Sequence, residues 1–182
     1  MRRVNGSNRL LVIGLVAVAA ALSLAPAAHA GPRAPDVPPA IRVDEGNKVF
    51  LDTYAVGVQI YTCNGSTWSS AVPRANLYGK NGHLIITHFR GPTWQAKDGS
   101  RAVGTVVNRV NVDRTAIDWL LLSTTTTPGA DGDRLAGTTF IQRIHTTGGL
   151  TPPAPDCNAA TAGKVVEVPY KADYVFWKKT AA

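Results

Sequence analysis

Histidine, arginine, tryptophan and aspartate crowd one stretch of this chain. Between His88 and Arg101, the residues His88, Arg90, Trp94, Asp98 and Arg101 surround an Arg90-Gly91-Pro92 turn signal and an Asp98-Gly99 pair. An indole face with guanidinium and carboxylate groups beside it holds a sugar ring or similar polar ligand by stacking and hydrogen bonding. Loops carried on a rigid sheet are where such groups tend to lie. Arg143 and His145 stand two residues apart and so share one face of a strand, making a second polar patch. These seven residues are the candidate ligand-binding groups. The competing account is architectural: Gly91 and Pro92 set a turn, Trp94 packs in a core, Arg90 or Arg101 pairs with Asp98 at the surface, and Arg143 and His145 decorate an exposed strand.

The same residue types support catalysis poorly, and the catalytic residues are left unknown. His83 and His88 are five apart, so a strand sends them to opposite faces and no metal site is expected. Two cysteines cannot build a four-cysteine zinc site. Ser100 follows a turn but no Gly-x-Ser-x-Gly elbow is present. Glu45 and Glu167 are the only glutamates, and most aspartates sit in turns, so a paired-carboxylate glycosidase is poorly supplied. No strand runs into a G-x-G-x-x-G and a helix, so no dinucleotide, and no cofactor of any kind, is expected.

The first thirty residues set the compartment. Arg2, Arg3 and Arg9 precede an apolar and small-residue run from Leu10 to Leu24, and Ala28-His29-Ala30 follows. A basic start, a short apolar core and a small-x-small site describe a signal peptide cleaved after Ala30, hence a secreted, extracellular protein. The run is short for a membrane span, and no second one follows, so no integral membrane association is expected after cleavage. Three of the arginines behind the formal net charge of +7 go with the leader. The remaining basic residues are scattered rather than striped, which argues against nucleic acid. Outside the cytosol the lone cysteine pair, Cys63 and Cys157, is expected to be a disulfide.

The rest of the chain must position these groups. Gly31 to Pro39 is proline-rich, so residues 31–40 read as an extended leader to a single β domain over 41–182. Asn64-Gly65, Asn81-Gly82 and Asp98-Gly99 recur between β-prone runs and favour hairpin turns. Pro73-Arg74 and Arg90-Gly91-Pro92 are weaker breakers between them. A two-residue Asn64-Gly65 turn would set Tyr61 opposite Trp68, and Asp98-Gly99 would set Trp94 opposite Val103. Later strands are expected at 105–110, 117–123, 138–146, 164–168 and 174–177, with a loop over 124–133. Trp119-Leu120-Leu121-Leu122 shows no alternation and reads as buried on both faces. No helical period with a cap and a stop is found. The fold class is all-β, an antiparallel sandwich expected ahead of a closed barrel, with few or short helices.

Several segments taken together resemble a known family. They are Gly57-Val58-Gln59-Ile60-Tyr61-Thr62-Cys63, His88-Phe89-Arg90-Gly91-Pro92-Thr93-Trp94 with Asp98-Gly99-Ser100, Ile117 to Leu122, Ile141-Gln142-Arg143 onward, Cys157, and Val168 to Phe176. They are similar to a family of exported bacterial, fungal and plant proteins catalogued as a domain of unknown function. The resemblance implies export and one domain, and transfers no activity. The functional expectation is a non-catalytic extracellular binding module, with a cell-wall glycan or an extracellular protein as partner. An extracellular hydrolase on a β scaffold and a structural envelope protein are the alternatives.

Overall fold

The turn signals do punctuate strands. The computed structural model describes Met1 and residues 32–181, and the expected signal peptide and its cleavage site lie outside the described residues. Eight antiparallel strands follow in chain order: β1 (Asn47–Thr62), β2 (Val72–Tyr78), β3 (Leu84–Phe89), β4 (Thr93–Ala96), β5 (Arg101–Val110), β6 (Trp119–Thr127), β7 (Thr138–Gly148) and β8 (Val165–Lys179). Each pairs with the next, and β8 pairs with both β7 and β1, so the single sheet closes. Helical structure among the described residues is three one-turn 3-10 segments.

The all-β class, the short helices and the Cys63–Cys157 disulfide stand as expected. The arrangement is the closed barrel rather than the sandwich. Closure depends on β8 running unbroken for 15 residues along the 16-residue β1, where two separate strands over 164–168 and 174–177 were expected. Pro169 lies opposite Val58 of β1, and its carbonyl accepts from Gly149 N at 2.9 Å, just past the end of β7. In an antiparallel ladder a residue's N and C=O point the same way, so the missing N–H falls where β7 has already ended and no β1 bond is lost. Pro73-Arg74 likewise lies inside β2, and β6 runs on through Thr127 where a loop was expected.

Two hairpin registers also differ. Asn64 N bonds to Thr67 O, so the first turn is four residues long and Trp68 opposes Cys63 rather than Tyr61. Gly99, with φ +85°, ends a three-residue turn closed by Ala96 N to Ser100 O, which sets Trp94 opposite Ala102 instead of Val103. The glycine supplies the left-handed residue that this longer loop needs.

Two apolar clusters result from the strand alternation. The barrel interior holds Ala55, Leu77, Ile86, Trp94, Leu122, Ile141, Tyr170, Tyr174 and Phe176. A second cluster on the outer wall joins Leu121, Ile144, Val175 and Trp177 to Val37, Ile41 and Val43. Leu121 and Leu122 are therefore buried on opposite faces, as their unalternating run predicts. The extended segment before the barrel carries Val37 and Ile41 into that outer cluster, where Gln142 Nε2 donates to Ile41 O at 2.7 Å.

The two barrel ends are built differently. At the end where β1 starts, Leu135 of the β6–β7 loop enters the interior cluster fully buried. Asp98 fixes that loop: Oδ1 accepts from Ser100 N and Oγ, and Oδ2 from Arg134 N at 2.8 Å, while Ser100 Oγ accepts from Leu135 N at 3.0 Å. At the other end, the disulfide ties the β1–β2 loop to the β7–β8 loop across a separation of 94 residues.

Candidate functional site

The disulfide end of the barrel opens into a cavity of about 190 Å³. Inward positions of six strands supply its walls: Gln59 of β1, His88 of β3, Trp94 of β4, Val106 of β5, Leu120 and Leu122 of β6, and Arg143 of β7, with Tyr174 of β8 behind them. Arg90, Gly91 and Pro92 of the β3–β4 turn form part of the rim, with Ala71 to Pro73 beside them. Gly104 of β5 leaves room for the floor. A Cβ there would lie 2.9 Å from both Trp94 Cζ3 and Leu122 Cδ2, so the bare backbone lets the indole lie close.

His88 and Trp94 are one unit. Their rings stack at 4.2 Å with 9° between planes, and Tyr174 meets both edge-on at 5.3 and 5.5 Å. His88 Nδ1 lies 3.0 Å from Thr93 O. A carbonyl only accepts, so Nδ1 carries the proton, and the neutral ring leaves Nε2 as an acceptor. Burial pushes the His88 pKa down to about 3, against the Thr93 bond and with the help of the Arg143 charge, so the imidazole is neutral at physiological pH. Tyr170 and Tyr174, their hydroxyls 3.3 Å apart, are held neutral by burial, which raises both phenols.

Arg143 is the cation in the cavity's strand wall, with Arg90 at the rim. Arg143 Nε and Nη2 donate to Asp118 O at 3.1 and 2.8 Å, which fixes the guanidinium plane and leaves further N–H groups. The ion pairs among the described residues are Arg74–Glu167 and His145–Asp173, so no carboxylate lies within 4.0 Å of Arg143. Two other donors in the wall are buried and unpaired: Gln59 Nε2 and Trp94 Nε1. Unpaired buried donors are uncommon in folded proteins, and each has lost its hydration without replacement.

The structure thus brings together His88, Arg90, Trp94 and Arg143 from the two separate patches of the sequence. Asp98 and Arg101 lie at the opposite, plugged end, where Asp98 holds the β6–β7 loop and Arg101 Nε donates to Gln95 Oε1. Neither Arg90 nor Arg101 pairs with Asp98. His145 does not share the face of Arg143: a register shift between Ile144 and Thr147, with His145 at φ +49°, turns its side chain to the outer wall. There it meets Asp173 at 2.8 Å and Trp119 edge-on at 5.0 Å. Gln59 and Tyr174 complete the wall without being among the candidate residues of the sequence. The signal for Gln59 was present, because Ala55, Gly57, Gln59, Tyr61 and Cys63 share one parity of a strand whose inward face ends at the buried cysteine. Among the described residues no three His, Cys, Asp or Glu side chains converge as a metal site would need, and no helix is long and apolar enough to cross a membrane.

Residues 44–178 match the family described as protein of unknown function, DUF3455, and the chain belongs to it. The matched range contains every segment on which the resemblance rests, from Gly57 to Trp177. No curated protein and no solved structure matches the chain.

Proposed function

We propose that this DUF3455 protein is a non-catalytic extracellular binding protein that takes a small molecule into the open end of its barrel. The observation that carries the reading is the cavity with two buried, unpartnered donors in its wall, Gln59 Nε2 and Trp94 Nε1. A pocket with mostly apolar walls and a few converging polar groups is the usual form of a small-molecule site. The disulfide suits an oxidising compartment, in agreement with export.

A cell-wall glycan stacked on Trp94 is not what this geometry favours. The indole stacks on His88, packs at steep angles against Tyr174 and Phe176 and is 1% exposed, so it offers a sugar no open face. Trp68 and Trp119, both half-buried, are the rings left for a surface sugar. The test is a thermal-shift and tryptophan-fluorescence screen of small polar molecules and oligosaccharides, with Trp94→Phe beside the unaltered protein. Small molecules should raise Tm and change emission in the unaltered protein, and lose most of that effect in the variant. Stabilisation by oligosaccharides alone, unchanged by the substitution, overturns the cavity reading.

A hydrolase reading has one observation behind it, the exposed His145–Asp173 pair at a strained backbone position. Among the described residues no Ser, Thr or Cys side chain hydrogen-bonds to His145 or His88 as a nucleophile would. Turnover of ester or peptide substrates that vanishes in His145→Ala would move the assignment there.

A further inference from the structure

The charge balance of the cavity goes further than its existence. Resting on the reading of the open barrel end as a binding site, we propose that its ligand is a small organic carboxylate with a compact apolar body, its charge held by Arg143 and its carboxylate oxygens by the unpaired Gln59 and Trp94 donors.

The wall is rich in donors and holds no negative charge. Arg143 keeps N–H groups free beyond its two bonds to Asp118 O, Gln59 Nε2 and Trp94 Nε1 have no partner, and Arg90 stands at the rim. A half-buried cation without a counter-charge is costly, and a bound anion removes that cost while supplying acceptors for the donors. An arginine fork fits the two oxygens of a carboxylate in one plane, and the backbone carbonyl of Asp118 fixes that plane in advance. A cationic ligand would meet Arg143 directly, and a neutral one would leave it uncompensated.

The remaining walls select the rest of the ligand. Val106, Leu120, Leu122 and Pro92 present hydrocarbon, which an inorganic anion with its strong hydration would not replace. An organic body buries it. A cavity of about 190 Å³ lies below the range of roughly 300–1,000 Å³ for drug-sized ligands, which limits the body to about one ring or a short branched chain.

The experiment titrates the full chain with benzoate, benzamide, benzylammonium and inorganic phosphate, reading heat and tryptophan emission. Benzoate should bind at least tenfold tighter than benzamide, with benzylammonium weaker still and phosphate far weaker than benzoate. That comparison needs no substitution, so it stands even where a variant fails to fold. In Arg143→Gln the preference for benzoate over benzamide should collapse toward unity, and Arg143→Lys should restore part of it. Equal affinity for benzoate and benzamide overturns the anion assignment and leaves the binding site in place. Phosphate binding as tightly as benzoate overturns the organic body. No response to any of the four, with tryptophan emission unmoved, overturns the binding reading itself.

Discussion

Gln59→Met separates a binding site from an ordinary core by the sign of its effect. The Gln59 side chain is 2% exposed and its Nε2 has no partner. A buried donor in that condition costs about 1–3 kcal/mol of desolvation that no hydrogen bond returns. Methionine keeps the unbranched length and has no polar atom to satisfy, so the substitution should raise the unfolding free energy of the ligand-free protein by about 1–2 kcal/mol. For a chain of this size that is a rise in Tm of roughly 2–8 °C. Most buried substitutions lower stability by about 1 kcal/mol, so a gain is diagnostic. The same variant should weaken benzoate binding by up to about tenfold, the worth of one hydrogen bond. Urea and thermal unfolding measure the first quantity, with the urea slope unchanged, and calorimetric titration measures the second. A ligand-free Gln59→Met protein less stable than the unaltered one by 1 kcal/mol or more would refute the reasoning, because the amide would then be bonded in solution.

Three further outcomes follow from the fold. Replacing Cys63 and Cys157 with serine removes a bridge that closes 94 residues and should cost about 2–5 kcal/mol, read as a drop in urea midpoint that dithiothreitol reproduces in the unaltered protein. His88 has its pKa lowered to about 3 in the fold against about 6.5 unfolded. The unfolded chain therefore binds the extra proton, and stability present above pH 6.5 is lost as pH falls toward 3, by about 2–3 kcal/mol at pH 4.5. Denaturation across pH 4.5–7.5 should show that slope flattened in His88→Phe, and an unchanged slope would place the loss elsewhere. Gly104→Ala pushes a methyl within 2.9 Å of Trp94 and Leu122 and should lower stability by about 1–3 kcal/mol with an altered tryptophan emission spectrum.

Local chemistry was readable in the chain and long-range geometry was not. The Asn-Gly and Asp-Gly pairs located turns, and the unalternating Trp119–Leu122 run announced a strand buried on both sides, because both signals involve neighbours in sequence. Barrel closure is decided by the pairing of β8 with β1, residues more than a hundred positions apart, which no local pattern reports. The strands expected at 164–168 and 174–177 are one strand through Pro169, whose tolerance depends on β7 having ended beside it. The site was half legible for the same reason. His88, Arg90 and Trp94 lie on one hairpin, so sequence proximity groups them, while Arg143 joins them only through β7. His145 was paired wrongly with Arg143 because strand parity holds only until a bulge, and nothing in Arg143-Ile144-His145 marks one.

The outer wall provides an internal control for the cavity. Trp177 Nε1 donates to Gln142 Oε1 at 2.9 Å, and Gln142 Nε2 donates to Ile41 O at 2.7 Å, so a buried tryptophan and both polar atoms of a buried glutamine find partners where the leading segment covers the barrel. Inside the barrel the same two residue types, Gln59 and Trp94, are as deeply buried, yet the donors of both are idle. The plugged end behaves like the outer wall: Ser100 and Thr138 are buried and bonded. Unpaired donors therefore coincide with the cavity and with the two arginines beside it, Arg143 and Arg90, neither of which has a carboxylate partner. Among the described residues no other buried side-chain donor or acceptor is left unpaired, so packing alone does not account for these two. A ligand rich in acceptors supplies the reason, and a closed barrel that holds these side chains in place lowers the ordering cost of binding it.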